Sequence, residues 1–221
     1  AGGGSGLMPG EVSLACHGVL FMDEFNLFST KTVEVLRQPM ESGHILIDRV
    51  NGKVEYPADF MLVAAMNPCK CGYYPDRNKC SCTPAQVRAY FGRLSRPLLD
   101  RIDVCVQVPR IKYGDMVYDG KDLYTNEYMR STVERVFNIQ KERFADEKYS
   151  LNSAIPAADV SRYCILDREA ENLMNSIYDS CDLSARGYHK LLKVARTIAD
   201  IDGSEYIMAE HICEASGYRM V

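Results

Sequence analysis

The sequence lacks the features that mark membrane and secreted proteins. No apolar run approaches the roughly 18 residues that a transmembrane helix needs, and the longest, residues 60–66, has seven residues. The amino end is rich in glycine and carries no charged residue, so it does not resemble a secretion signal. We therefore expect a cytoplasmic protein without a membrane partner.

The sequence also lacks a large excess of charge of either sign. Its 221 residues contain 26 Lys and Arg against 30 Asp and Glu, a formal net charge of −4. The chain as a whole is therefore not a polyanion binder. Hydrophobic residues make up 47% and charged residues 25%, which excludes a disordered chain and predicts a sizeable core. The length allows one large domain, or one domain and a small second one.

The nine cysteines do not indicate a disulfide framework, because their number is odd and no secretion signal precedes them. Five are scattered, as small buried hydrophobic residues often are. The other four form two Cys-x-Cys pairs within residues 69–82: Cys69, Cys71, Cys80 and Cys82. Four thiolates can hold Zn²⁺ tetrahedrally, although the usual spacing within a pair is wider. Zinc, disulfides and free thiols are the alternatives for this cluster.

The first half of the chain has an α/β pattern. Three short apolar runs, at residues 18–22, 60–65 and 104–108, are typical of buried parallel strands. A helix is predicted over 32–40 with a break near Pro39. Asn51-Gly52 lies between two partly alternating stretches, which predicts a hairpin over residues 44–56.

The second half has an all-α pattern. Residues 111–124 are typical of a linker, and a helical pattern follows over 125–144. Three or four amphipathic helices are predicted from residue 159 to the end. The clearest covers residues 184–201, with apolar residues at helical spacing and Ser184 as a candidate N-cap.

Polar side chains follow two of the predicted strands. Asp23 and Glu24 come directly after the first strand, and Asn67 follows the second. Ligands bind at the carboxyl ends of strands in open α/β sheets, where two acids suit a Mg²⁺–nucleotide site and an amide suits a phosphate or the attacking water. The alternatives are a polar turn after the first strand and a turn Asn before Pro68 after the second.

Two arginines are candidates for phosphate contacts. Arg101 lies near the junction between a short helical turn and the run at 104–108, where it could reach the phosphate of a neighbouring subunit. Alternatively it is a surface residue paired with Asp100 or Asp103. Arg186 lies in the first turn of a helix, where the dipole disfavours a cation unless an anion is near; a solvated arginine is the alternative.

In this order the motifs resemble those of the AAA+ ATPases of the magnesium-chelatase branch, and most closely the bacterial ComM/YifB group. The resemblance extends over nearly the whole chain. Four further strings carry it: Pro-Gly-Glu-Val-Ser-Leu-Ala at 9–15, Arg-Gln-Pro-Met-Glu-Ser-Gly at 37–43, Ala-Ala-Met-Asn-Pro-Cys at 64–69 and Ala-Arg-Thr-Ile-Ala-Asp at 195–200.

The resemblance implies a fold and a role for each candidate residue. Residues 1–110 would be the carboxyl-terminal part of an α/β AAA+ P-loop NTPase core, a parallel sheet with a hairpin. Residues 111–124 would be a linker and 125–221 an all-α lid. Asp23 and Glu24 would form the Walker B pair, with Asp23 on Mg²⁺, and the remaining roles would be Asn67 as sensor 1, Arg101 as arginine finger and Arg186 as sensor 2.

The resemblance also implies an activity for the full-length protein. It would be an ATP- and Mg²⁺-dependent ring, a hexamer, acting on DNA as a helicase or in branch migration. The alternatives are a motor subunit of magnesium chelatase and a non-enzymatic, zinc-stabilised module that binds DNA or protein.

One departure from the family pattern concerns phosphate binding. The motif Gly-x-x-x-x-Gly-Lys-Ser/Thr is absent, and the glycine-rich residues 2–6 lack the lysine that would reach the β- and γ-phosphates. In the family this loop precedes the segment that the chain covers. We expect the 221-residue chain alone neither to bind ATP tightly nor to hydrolyse it.

A local concentration of positive charge lies beside the cysteine cluster. Residues 69–101 contain seven basic residues against two acidic ones, with aromatic residues between them. This stretch could follow a nucleic-acid backbone. Alternatively its arginines line the interface between subunits of a ring.

Overall fold

The computed structural model describes residues 8–49, 52–109, 111 and 124–219. The fold is mixed α/β. The chain divides into two compact units, Ala1–Ile102 and Asp103–Val221, and each is described by itself.

A parallel strand pair forms the centre of the first unit. Strand β1 (Val19–Met22) pairs with β4 (Met61–Ala64), and the register runs from Val19 opposite Met61 to Met22 opposite Ala64. Both strands are short apolar runs, as the sequence predicted. The carboxyl ends of the two strands therefore lie at one edge of the pair.

The predicted hairpin is confirmed. Strand β2 (His44–Arg49) pairs antiparallel with β3 (Gly52–Pro57), with His44 opposite Pro57. Asn51 of the predicted turn lies outside the described residues. Ile45 and Ile47 alternate along β2 and are both buried, so one face of the hairpin packs on the core of this unit.

The helices of the first unit are short. One prediction needs correction here: the helix expected over 32–40 is interrupted at Leu36, and Pro39 does not break it. Pro39 is the third residue of the later of the two helices, Arg37–Ser42. Backbone N–H groups in a first helical turn have no intrahelical acceptor, so a proline there costs no hydrogen bond. The helices are α1 (Glu11–Leu14), α2 (Thr30–Val35), α3 (Arg37–Ser42), α4 (Pro84–Phe91) and α5 (Arg96–Leu99), with a 3₁₀ turn at Phe25–Leu27.

The prediction of a third buried strand at residues 104–108 is wrong. In the described part of the chain, no strand pairs with this segment, and it has no regular structure. Val104, Val106 and Val108 are 48%, 66% and 80% exposed. A continuous apolar run becomes a strand only when neighbouring strands accept and donate its backbone hydrogen bonds.

The described residues of the second unit form helices and loops, with one isolated β-bridge between Leu166 and Ile207. The helices predicted over 125–144 and 184–201 are confirmed, and Thr125 and Ser184 cap them by accepting hydrogen bonds from backbone N–H groups three residues later. Most of the predicted linker, residues 112–123, lies outside the described residues. The helices are α6 (Asn126–Arg143), α7 (Val160–Tyr163), α8 (Arg168–Ser180), α9 (Ala185–Asp202) and α10 (Ala209–Gly217).

A buried polar network joins α6 to α9. Asp200, 1% exposed, accepts hydrogen bonds from Arg143 Nη1 at 2.8 Å, Arg196 Nε at 3.1 Å and Asn152 Nδ2 at 2.8 Å. Two guanidinium groups and an amide thus compensate the one carboxylate, which is the condition for burying a charge. Across the described ranges, no helix combines the length and the apolar character needed to cross a membrane.

Candidate functional site

The polar residues that follow β1 and β4 come together because the two strands are parallel and in register. The pairing continues past the strand ends: the Ala65 N–H donates to the Met22 carbonyl at 2.9 Å, and the Phe25 N–H donates to the Ala65 carbonyl at 2.9 Å. The backbone leading to Glu24 is therefore tied to the backbone leading to Asn67. Ligand sites in α/β sheets form at this kind of strand edge.

A cavity of about 150 Å³ opens at this edge. Two of the predicted site residues, Glu24 and Asn67, line it together. Its full lining is Glu24, Asn26, Leu27, Asn67, Lys70 and Tyr90. An acid, two amides, an ammonium group and a phenol thus surround a space that could admit a phosphoryl group.

The backbone at Glu24 adopts the left-handed conformation, with φ 49° and ψ 41°. This region is sparsely populated by residues other than glycine, and such strain tends to occur at functional sites. Asp23 holds the turn, because its Oδ1 accepts a hydrogen bond from the Glu24 N–H at 2.8 Å. Asp23 is not among the residues that line the cavity.

Asn26 is a further polar residue of the cavity, and no sequence motif indicated it. It is 2% exposed, and its Nδ2 has no hydrogen-bond partner among the described residues. A buried donor without an acceptor is costly, and a bound oxygen ligand would satisfy it. The signal in the sequence was a lone amide within the apolar stretch 25–28.

Arg101 lies in the turn after α5, and its side chain is 12% exposed. Its Nη2 pairs with Glu41 and its Nη1 donates to the Pro97 carbonyl. The structure thus shows Arg101 paired with Glu41, a partner that the sequence did not indicate. Arg101 is not among the residues that line the cavity, so a role as arginine finger would be exerted on another subunit and stays a prediction.

Arg186 is the second residue of α9, in the second unit. Its position in the first turn of a helix is the one the sequence predicted. The role as sensor 2 stays a prediction.

The four clustered cysteines meet in space. Their sulfur atoms all lie within 4.8 Å of one another, with Cys69 Sγ at 3.3 Å from Cys71 Sγ and at 3.8 Å from Cys80 Sγ. A tetrahedral zinc site with Zn–S bonds of about 2.3 Å places its sulfur atoms about 3.8 Å apart. The cluster can therefore hold a metal ion such as Zn²⁺.

The thiols of the cluster differ in acidity. Hydrogen bonding from the Tyr73 backbone N–H lowers the pKa of Cys71 to about 6. Partial burial raises the pKa of Cys80 to about 11. Cys71 is therefore a thiolate at neutral pH, and the thiolate is the form that binds metals.

Comparison with known proteins agrees with the resemblance seen in the motifs. The sequence model of the family "magnesium chelatase, subunit ChlI" matches residues 1–116, and that of "magnesium chelatase, subunit ChlI C-terminal" matches residues 124–219. The chain is 41% identical to competence protein ComM of Haemophilus influenzae over 99% of its length, and 40% identical to the uncharacterized protein YifB of Escherichia coli over 100%.

More distant relatives include magnesium-chelatase subunit ChlI-2 of Arabidopsis thaliana, at 22% identity over 92% of the chain. The chain spans 42% of the length of the ComM and YifB relatives. The family matches together cover both units. The chain therefore belongs to the magnesium chelatase subunit ChlI family, with ComM and YifB among its relatives.

Proposed function

We propose that this chain supplies the water-activating side of the nucleotide site in an ATP-driven ring ATPase. The observation that carries the proposal is the shared cavity of Glu24 and Asn67, which follow two paired parallel strands. ATP with Mg²⁺ would provide the phosphoryl group that is transferred to water. Glu24 would orient and activate the attacking water, and Asn67 would hydrogen-bond to that water or to the γ-phosphate.

The other candidate residues would complete the site in the full-length protein. Asp23 offers a hard oxygen ligand at the strand end, which suits Mg²⁺ with several waters retained. Arg101 would release Glu41 and act on the nucleotide of the adjacent subunit of a ring, a hexamer. Arg186 would contribute from the lid, the helical unit after the linker.

The test is the Glu24→Gln variant of the full-length protein. It should lose ATP turnover by a factor of about 100 or more, the usual scale for losing a general base, and it should retain nucleotide binding. Glu142→Gln, at an exposed position on α6, is the matched control and should keep normal turnover. Normal turnover by Glu24→Gln would refute the proposal.

DNA is the proposed substrate of the ring. Four arginines of residues 69–101 are exposed and would form the DNA-binding surface: Arg77, Arg88, Arg93 and Arg96. Such a surface would release counterions from a phosphate backbone, so DNA affinity of the full-length protein should fall steeply with salt. A flat salt dependence would instead favour the alternative in which these arginines lie between subunits.

We further propose that the cysteine cluster holds one structural Zn²⁺. Its four sulfur atoms form the closed, all-thiolate set typical of structural sites. Protein purified without chelators should contain about one zinc per chain by metal analysis. A zinc content far below one ion per chain would favour the disulfide or free-thiol alternatives.

A magnesium chelatase motor is the second candidate function, because the matching family models bear that description. The identity of 41% to ComM against 22% to ChlI-2 favours the first candidate. If the full-length protein stimulates metal insertion into a porphyrin, the second candidate function is the correct one. A full-length protein that binds no nucleotide would indicate the non-enzymatic module.

A further inference from the structure

The cysteine cluster and the nucleotide cavity share one segment of chain. Lys70 lies between Cys69 and Cys71, which are two of the four clustered thiols, and it also lines the cavity with Glu24 and Asn67. A metal bound by the cluster would fix the backbone on both sides of Lys70. The position of the Lys70 ammonium group in the cavity would then depend on whether the metal site is occupied.

A second polar residue, Asn26, lines the same cavity. The Asn26 side chain is 2% exposed and its Nδ2 has no hydrogen-bond partner in the described part of the chain. The Arg93 Nη1 donates to the Asn26 backbone carbonyl at 3.3 Å, which helps to fix this residue. An ammonium group and an amide in one cavity are a donor set for an anion with several oxygen atoms.

The charges of the site favour such donors, in addition to the Mg²⁺ proposed at Asp23. A terminal phosphate would enter beside the carboxylate of Glu24, with Asp23 next to it in sequence, and like charges at short range repel. A cation on the opposing side would offset this repulsion. The cavity of about 150 Å³ is several times the space that one water needs, so a phosphoryl group has room in it.

We infer that the metal-bound cysteine cluster positions Lys70 in the cavity, where Lys70 and Asn26 bind the terminal phosphate of the nucleotide. The inference rests on the proposed nucleotide site and adds two binding residues to it. The cluster is then a positioning element of the nucleotide site. Removing the metal releases Lys70 and weakens binding of ATP more than binding of ADP, which lacks the terminal phosphate.

The test compares Lys70→Ala with Lys79→Ala in the full-length, zinc-loaded protein. Both lysines lie within residues 69–82, which contain the four clustered cysteines. The Lys79 Nζ lies 3.8 Å from the Asp76 Oδ2, and Lys79 does not line the cavity. The readout is the Kd of a fluorescent ATP analogue, with the ADP analogue and the zinc content measured in parallel. Lys70→Ala should weaken ATP binding about tenfold or more, and Lys79→Ala should change it less than about twofold.

Chelation of the metal supplies the second arm. Chelation should lower the ATP affinity of the wild-type protein to that of Lys70→Ala. It should cause little further loss in Lys70→Ala itself, because each change leaves the cavity without the Lys70 ammonium group. Asn26→Ala should weaken ATP binding in the same direction, and circular dichroism checks that this buried substitution has not unfolded the protein.

Three results would overturn the inference. The first is wild-type ATP affinity in Lys70→Ala. The second is a loss of zinc in that variant as large as its loss of affinity, since the metal alone would then account for the effect. The third is a wild-type protein that binds no nucleotide at all, which would refute the proposed function as well, whereas the first two leave it standing.

Discussion

At the scale of single residues, the acids after β1 were predictable and their geometry was not. Asp23 and Glu24 follow an apolar run, which the sequence shows directly. The left-handed backbone at Glu24, and the inclusion of Lys70, Asn26 and Tyr90 in one cavity, depend on how distant segments pack. Sequence patterns report periodicity and local turns, whereas a cavity is defined by contacts between segments far apart in the chain.

The lowered pKa of Cys71 gives a prediction about reactivity. Because the Tyr73 N–H stabilises the thiolate, the pKa is about 6, and the reactive form predominates above that pH. In chelator-treated protein, alkylation of Cys71 by iodoacetamide should reach half its maximal rate near pH 6, as followed by peptide mass spectrometry.

Cys80 is the internal control for this measurement. Its pKa is raised to about 11, so it should react slowly at neutral pH in the same sample. Equal rates for Cys71 and Cys80 between pH 6 and 8 would contradict the acidity assigned to the cluster.

At the scale of elements, local chemistry predicted the hairpin and the capped helices. The Asn51-Gly52 pair predicted the hairpin that β2 and β3 form, and Ser184 was a candidate N-cap from its position before the helical pattern. The run at 104–108 resembles a strand in sequence, because an apolar stretch does not reveal whether a partner strand is present. Pro39 predicted a helix break, but it lies in the first turn of α3, where a proline is tolerated.

The buried network around Asp200 gives a prediction about the attachment of α6 to α9. Asp200→Ala would leave the guanidinium groups of Arg143 and Arg196 without their carboxylate. Breaking a buried ion pair on one side costs about 3–5 kcal/mol. The free energy of unfolding of the variant, measured by urea denaturation, should fall by about that amount.

The matched control is Asp179→Ala, at an exposed position on α8. It should change the free energy of unfolding by no more than about 0.5 kcal/mol. Equal stability of the two variants would show that the network does not hold the helices together.

At the scale of the whole molecule, one face of the parallel strand pair is apolar and exposed. Val19 opposes Met61 and Phe21 opposes Val63, and these residues are 57%, 64%, 61% and 39% exposed. They alternate with the buried side of the strands, so together they form one continuous patch. Exposed apolar faces of this kind promote self-association.

The exposed face predicts that the 221-residue chain binds the dye ANS and self-associates. Phe21→Thr combined with Met61→Thr should lower both the ANS fluorescence and the apparent mass in sedimentation. Ile165→Thr, which removes a 49% exposed apolar side chain of the second unit, should change neither. Equal ANS binding by the unmodified chain, the double variant and the control would show that this face is not the surface through which the chain self-associates.

A double-mutant cycle on ATP turnover in the full-length protein tests most directly whether Glu24 and Asn67 serve one nucleotide site. The cycle uses Glu24→Gln, Asn67→Ala and the double variant. If the two side chains serve one site, their effects on kcat are strongly non-additive, as for residues that act as a unit. With one shared site, we expect the double variant to be little slower than Glu24→Gln alone, while all three proteins still bind nucleotide. Independent, additive losses, or normal turnover in either single variant, would contradict it.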